Sequence, residues 1–184
     1  NTVCNKIVTV GRCSEQKNQE LLIDAFEEIS SIYSDASLDI YGDGPLKQNY
    51  VNLVQQKNLS NRITLHGNVK NISFALARAD VFVLSSNFEG MPNALMEAMA
   101  VGIPVISTDC PCGGPKILID NWKNGVLIPV NGKKELVDAL SVILSNKELK
   151  IKLGIEAKDT ANQFKPGKIY LEWKKYLSDV VLKE

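Results

Sequence analysis

Short apolar runs alternate with longer stretches of helical period along most of the chain, and this alternation narrows the choice of fold more than any other feature. A strand buried on both faces reads as a brief β-branched run, whereas a helix lying on a sheet reads as an apolar stripe at helical spacing. The first run, Ile7, Val8, Thr9, Val10 and Gly11, is β-branched and ends on glycine, as a buried strand turning at its carboxyl end would. Over residues 18–33, Leu21, Leu22, Ala25, Phe26, Ile29 and Ile32 recur at helical spacing with acidic residues between them. The same reasoning predicts a strand at 38–41, a helix at about 46–57, a strand at 63–66 and a helix at about 72–79. Beyond these it predicts a strand at 81–84, a helix at 93–100, strands at 104–107 and 126–128, and a helix at 134–144. Two further helical stretches, about 148–163 and 166–182, have no strand between them and are expected to cap the sheet's edge. The class is α/β: one parallel sheet flanked by helices, with right-handed crossovers and any ligand at the carboxyl ends of the strands.

A chain of 184 residues supports one well-packed core, so residues 1–184 are read as a single domain. Lys plus Arg equals Asp plus Glu at 21 each; with no net charge there is no broad field to attract nucleic acid or an anionic membrane. An anionic small molecule remains open, because local cations and helix amino termini hold a phosphate whatever the overall charge. No apolar run is long enough to span a bilayer and the opening residues lack a signal-peptide layout, so a cytoplasmic location is expected. The chain starts without Met on a segment leading directly into a strand, and is expected to be a domain excised from a longer protein. Cys4, Cys13, Cys110 and Cys112 match neither a paired zinc motif nor a disulfide framework, and are read as free thiols.

The densest segment runs from Phe88 through Glu89, Gly90, Met91, Pro92, Asn93, Ala94, Leu95 and Met96 to Glu97. A strand ends, a carboxylate-bearing loop turns, and a helix begins with Pro92 near its first position. The amides of Asn93, Ala94 and Leu95 then point out of the helix start, where they and the helix dipole favour a phosphate. Glu89 sits just before that pocket, and Glu97, further into the helix, can accept two hydroxyl hydrogen bonds from a ribose. Set against this, a lone glutamate is more often a helix-start charge or an ordinary surface residue; two of them bracketing a Gly and Pro loop leave the balance near even.

A second loop, Gly11 to Asn18, is neither a Walker A loop nor a G-x-G-x-x-G turn, yet Arg12 and Lys17 flank it and could hold a diphosphate between them. The commoner fate of such a pair is solvation. Gly42, Asp43 and Gly44, and Gly67, Asn68 and Val69, end the next two strands on the same edge of the sheet, each a weak signal alone. His66, the one histidine, is read as a strand end rather than a base; no Ser, His and Asp arrangement and no Asp-x-Asp metal site occurs.

In order, the Gly11–Arg12 to Lys17–Asn18 loop, the Tyr41–Gly44 turn, His66–Gly67, the 79–86 segment and the two glutamates Glu89 and Glu97 resemble the carboxyl-terminal domain of family-four retaining glycosyltransferases. The following Gly102, Ile103, Pro104 and Val105 strengthen the match, and residues 108–115 look like the bacterial members that build surface polysaccharides such as capsule and lipopolysaccharide. The resemblance implies one half of a GT-B fold, a Rossmann-like domain that holds a nucleotide-sugar donor, while a missing amino-terminal domain holds a glycan acceptor, in some cases lipid-linked. It implies that Arg12 and Lys17 neutralise the diphosphate beside Gly11. Glu89, with Gly90 and Met91, meets the donor sugar, Asn93 to Leu95 supply amides, Glu97 binds ribose hydroxyls, and Asn68 and Val69 lie along the base. Two departures stand out: Cys13 replaces a larger aliphatic residue, and Ile117 replaces a frequent glutamate.

The same resemblance implies hexosyl transfer with retention and without a metal cofactor, the leaving phosphate taking the acceptor's proton. It implies a UDP-linked donor in preference to GDP, a parent enzyme peripheral at the inner face of the membrane, and an isolated domain without transfer activity. Phe164, Ile169, Trp173 and Leu177 would cross to the partner domain, and alone would be exposed or covered by another copy. Other GT-B enzymes, an epimerase or a phosphorylase, and a non-catalytic nucleotide-binding module are the competing readings.

Overall fold

The computed structural model describes residues 5–181. Six strands, β1 (Lys6–Val10), β2 (Ser37–Tyr41), β3 (Ile63–Gly67), β4 (Val81–Leu84), β5 (Val105–Thr108) and β6 (Val126–Ile128), form one sheet in the order β3-β2-β1-β4-β5-β6. Every pairing is parallel. The expected α/β fold class therefore stands, and the strand order turns back on itself between β1 and β4, where a parallel sheet opens a crevice at its carboxyl edge.

Helices cover both faces. α1 (Gln19–Ile32), α2 (Lys47–Gln56) and α6 (Lys133–Ser145) close one core, built around Phe26, Ile29, Leu38, Ile40 and Leu140. α3 (Ile72–Leu76), α4 (Asn93–Val101) and α5 (Gly114–Leu118) close the other, built around Val8, Phe82, Leu84, Leu95 and Met99. The third helix stops at Leu76, three residues short of the expected end at Ala79. α5 is a helix the sequence pattern did not indicate, because five residues opening on Gly-Pro carry no readable period.

α7 (Lys147–Ala161) passes from one layer to the other, with Leu153 in the first core and Ala157 in the second, and packs along α4. A 3-10 turn, Asn162–Phe164, leads into α8 (Pro166–Val181), the element carrying the final expected helix, whose residue 182 lies outside the described residues. Although α8 was expected to help cap the sheet, Tyr170, Trp173, Tyr176, Leu177 and Val180 along it are exposed. With the half-buried Ile169 they fall on one side of the helix at helical spacing, an apolar stripe left largely open among the described residues. Among the described residues no helix is long and apolar enough to cross a membrane.

Candidate functional site

The carboxyl ends of β1, β2, β3 and β4 bring the sequence-predicted residues to one edge of the sheet. Asn18 takes the left-handed conformation, φ 45°, which asparagine tolerates, and so ends the first loop where α1 begins. The turn after β2 has to approach that loop closely: a Cβ on Gly42, at φ 133°, would stand 2.0 Å from the Gly11 carbonyl oxygen. Backbone bonds from Gly11 N–H to Tyr41 O (2.9 Å), Cys13 N–H to Asp43 O (3.0 Å) and Gly42 N–H to Gly67 O (2.8 Å) tie three strand ends together.

Between them lies a cleft of 510 Å³ lined by Val10, Gly11, Arg12, Tyr41, Gly42, Asp43, Asn68, Val69 and Ile72. Gly11, Arg12, Asn68 and Val69 thus meet in one place. Arg12 is exposed, and none of the ion pairs among the described residues engages it. His66 belongs to β3; its Nε2 lies 2.8 Å from Asp39 Oδ1 and its ring stacks on Tyr41, centroids 4.4 Å apart. Lys6 adds an ion pair to Asp39 at 2.9 Å. Burial pushes the Asp39 carboxyl up, but the hydrogen bonds and charges of His66 and Lys6 outweigh it and hold the group below its ordinary value.

The loop after β4 is bound to the loop after β1 at five points. Ser85 Oγ donates to Lys17 O (2.9 Å), Asn87 N–H to Gln16 O (2.8 Å), Asn87 Nδ2 to Glu15 O (2.7 Å), Gln16 Nε2 to Phe88 O (3.1 Å) and Asn18 Nδ2 to Asn87 Oδ1 (3.1 Å). These bonds bring Lys17 to Glu89, where Lys17 Nζ and Glu89 Oε1 form an ion pair. Glu89 is 5 % exposed, and its Oε1 also accepts from Ser86 Oγ at 2.6 Å. Such partners offset the cost of taking a carboxylate out of water.

Gly90, Met91 and Asn93 are exposed at the start of α4, where Pro92 occupies the cap position. One expectation is corrected here: the Leu95 N–H donates to Pro92 O at 3.1 Å, so of the three amides read as free, those of Asn93 and Ala94 remain at the helix start. The Leu95 side chain is fully buried in the second core. Glu97, one turn on, is exposed.

Sequence reasoning gave no role to Ser86 or Gly114. A Cβ on Gly114 would fall 1.5 Å from the Gly90 carbonyl oxygen, so the Glu89 loop rests directly on the start of α5. Cys13, Cys110 and Cys112 are free, and burial raises the first two thiols above their ordinary value; Cys4 lies outside the described residues. Among the described residues no group of three or more His, Cys, Asp or Glu side chains could hold a metal ion.

A family profile described as glycosyl transferases group 1 matches residues 3–160. An uncharacterized glycosyltransferase of Methanocaldococcus jannaschii is 40% identical over 128 residues, 68% of this chain and 32% of that protein. An Escherichia coli enzyme named UDP-Gal:alpha-D-GlcNAc-diphosphoundecaprenol alpha-1,3-galactosyltransferase is 34% identical over 145 residues, 77% of this chain and 37% of its own. A crystallised carboxyl-terminal domain of a group 1 glycosyl transferase, LpcC of Francisella tularensis, superimposes with a TM-score of 0.79 at 23% identity, covering 86% of this chain and 84% of that one. The chain spans between about a fifth and a half of the length of the curated relatives it matches. By profile and by relatives, this chain belongs to the group 1 glycosyl transferases.

Proposed function

We propose that this chain is the donor-binding half of a retaining hexosyltransferase of two-domain GT-B architecture, and that its donor is a UDP-sugar. The observation that carries the reading is the meeting of Lys17 with Glu89 beside the start of α4, at the crevice where the strand order reverses. The 510 Å³ cleft takes the nucleoside, with Asn68 and Val69 along the base and Glu97 reaching the ribose hydroxyls. Arg12, Lys17 and the Asn93 and Ala94 amides take the diphosphate; Glu89, with Gly90 and Met91 at its side, takes the sugar.

Transfer builds negative charge on the departing diphosphate while positive charge develops at the anomeric carbon. Two cations and a helix start lie where that charge develops, which is the electrostatic contribution an oxyanion-type site makes. The reaction is read as metal-independent, with the acceptor proton passing to the leaving phosphate. The name of the Escherichia coli relative supports UDP and an acceptor on a diphosphate lipid. An amino-terminal acceptor domain of the same protein is the partner, and the unpartnered stripe on α8 is the surface offered to it. The parent works on the cytoplasmic side, peripheral to the membrane that carries the acceptor.

Calorimetric titration with UDP, GDP and ADP in the absence of added metal tests the reading. Saturable binding of UDP, abolished by Glu97→Ala, is the expected result. Binding of none of the three by the folded chain would sink it.

A further inference from the structure

Both hydrogen-bonding partners of the Glu89 carboxylate among the described residues fall on one of its two oxygens. Oε1 accepts from Ser86 Oγ at 2.6 Å and pairs with Lys17 Nζ. Ser86 is itself fixed: it is fully buried at the end of β4, and its carbonyl accepts from Thr108 Oγ1 at 2.5 Å at the end of the neighbouring β5. A buried hydroxyl has one proton to donate, and here it goes to the carboxylate. The path Thr108 to Ser86 to Glu89 therefore runs from the rigid sheet to the loop, and none of it depends on Lys17.

We infer that Ser86 is a positioning residue for donor-sugar recognition: by holding Glu89 Oε1 it leaves Oε2 as the oxygen that meets a sugar hydroxyl. This rests on the proposed function, which places the sugar at Glu89. Lys17 is the partner that a bound diphosphate draws away, since the phosphates and Glu89 compete for one ammonium group. Ser86 carries no charge and feels no such competition, so with donor bound it keeps the carboxylate in place.

The experiment compares UDP with UDP-glucose, UDP-galactose and UDP-N-acetylglucosamine by calorimetry on wild type, Ser86→Ala, Ser86→Cys, Glu89→Ala and the Ser86→Ala/Glu89→Ala double variant. Ser86→Cys leaves no cavity, its sulfur being larger than the oxygen, and keeps only a weak donor, so agreement between it and the alanine variant argues against a packing defect; thermal melts verify folding. In wild type the best UDP-sugar is expected to bind more tightly than UDP. Ser86→Ala and Ser86→Cys are expected to lose about tenfold of that advantage, the scale of one hydrogen bond to a charged group, with UDP affinity unchanged. In the double variant the serine change is expected to add nothing to the loss caused by Glu89→Ala. An undiminished sugar advantage in the serine variants, an equal loss for UDP itself, or no sugar advantage in wild type would each overturn the inference while leaving wild-type nucleotide binding, and the functional reading, in place. Failure of wild type to bind UDP at all would instead strike the functional reading beneath it.

Discussion

Lys17 and Glu89, 72 residues apart in sequence, form an ion pair that joins the loop after β1 to the loop after β4. Their side chains are 20% and 7% exposed, so the carboxylate depends on the ammonium for its charge balance. Lys17→Ala is expected to cost about 2–4 kcal/mol of stability by leaving a buried charge unpaired. Adding Glu89→Gln should recover most of that cost in a thermal melt without restoring UDP affinity, because the lost phosphate contact is Lys17's own.

Arg12 makes no ion pair among the described residues that folding would miss. Arg12→Ala is expected to change stability by no more than about 0.5 kcal/mol. It should weaken UDP binding about tenfold and uridine binding little, since a guanidinium on a phosphate is a charge-assisted contact. Calorimetry with the two ligands separates these effects.

Glu97 is exposed on α4. If it holds the ribose, wild type should prefer UDP to 2′-deoxy-UDP by about tenfold, the scale of a hydrogen bond to a carboxylate. Glu97→Ala should bring the two affinities together at an unchanged melting temperature.

Gly114 is set by contact, not by backbone torsion. A Cβ there would enter the Gly90 carbonyl, whereas one on Gly113, at φ 72°, would meet nothing within 4 Å. Gly114→Ala is expected to cost more than about 2 kcal/mol by overpacking and to displace Glu89. Gly113→Ala should cost only about 1–2 kcal/mol, the strain of a left-handed alanine. A comparison of melting temperatures and UDP-sugar affinities for the two variants checks this.

Asp39 gives a pH signature away from the ligand. Its carboxyl is held below the ordinary value of 3.8 in the folded chain, so near that pH the unfolded chain binds more protons. The contribution is full above the ordinary value and is lost as pH falls through the depressed folded one. Asp39→Asn is expected to flatten the acid limb of the stability curve in denaturant melts between about pH 5 and pH 2.

The sheet was legible because all six of its strands are short runs rich in β-branched or apolar residues set between longer segments. Val81 to Leu84 and Val126 to Ile128 fall at the positions their composition indicates. α5 was not legible, since Gly114 and Pro115 read as loop residues and its placement depends on a contact with Gly90 that no periodicity encodes. For the site, the charged residues Arg12, Lys17, Glu89 and Glu97 stood out by spacing and context. The Leu95 amide was misread because capping by the Pro92 carbonyl is a matter of local turn geometry. Ser86 carried no signal of its own: a serine after a strand is common, and only the fold shows that its proton goes to Glu89.

The open face of α8 has a consequence for handling the molecule. At pH 7 the formal charge is zero, so copies of the chain feel little mutual repulsion to offset the attraction between aromatic stripes bearing Tyr170, Trp173 and Tyr176. Near neutrality the apparent molecular mass is expected to rise with protein concentration, which sedimentation at two concentrations would read. Buffers to the alkaline side, where the chain gains net negative charge, are expected to lessen that dependence.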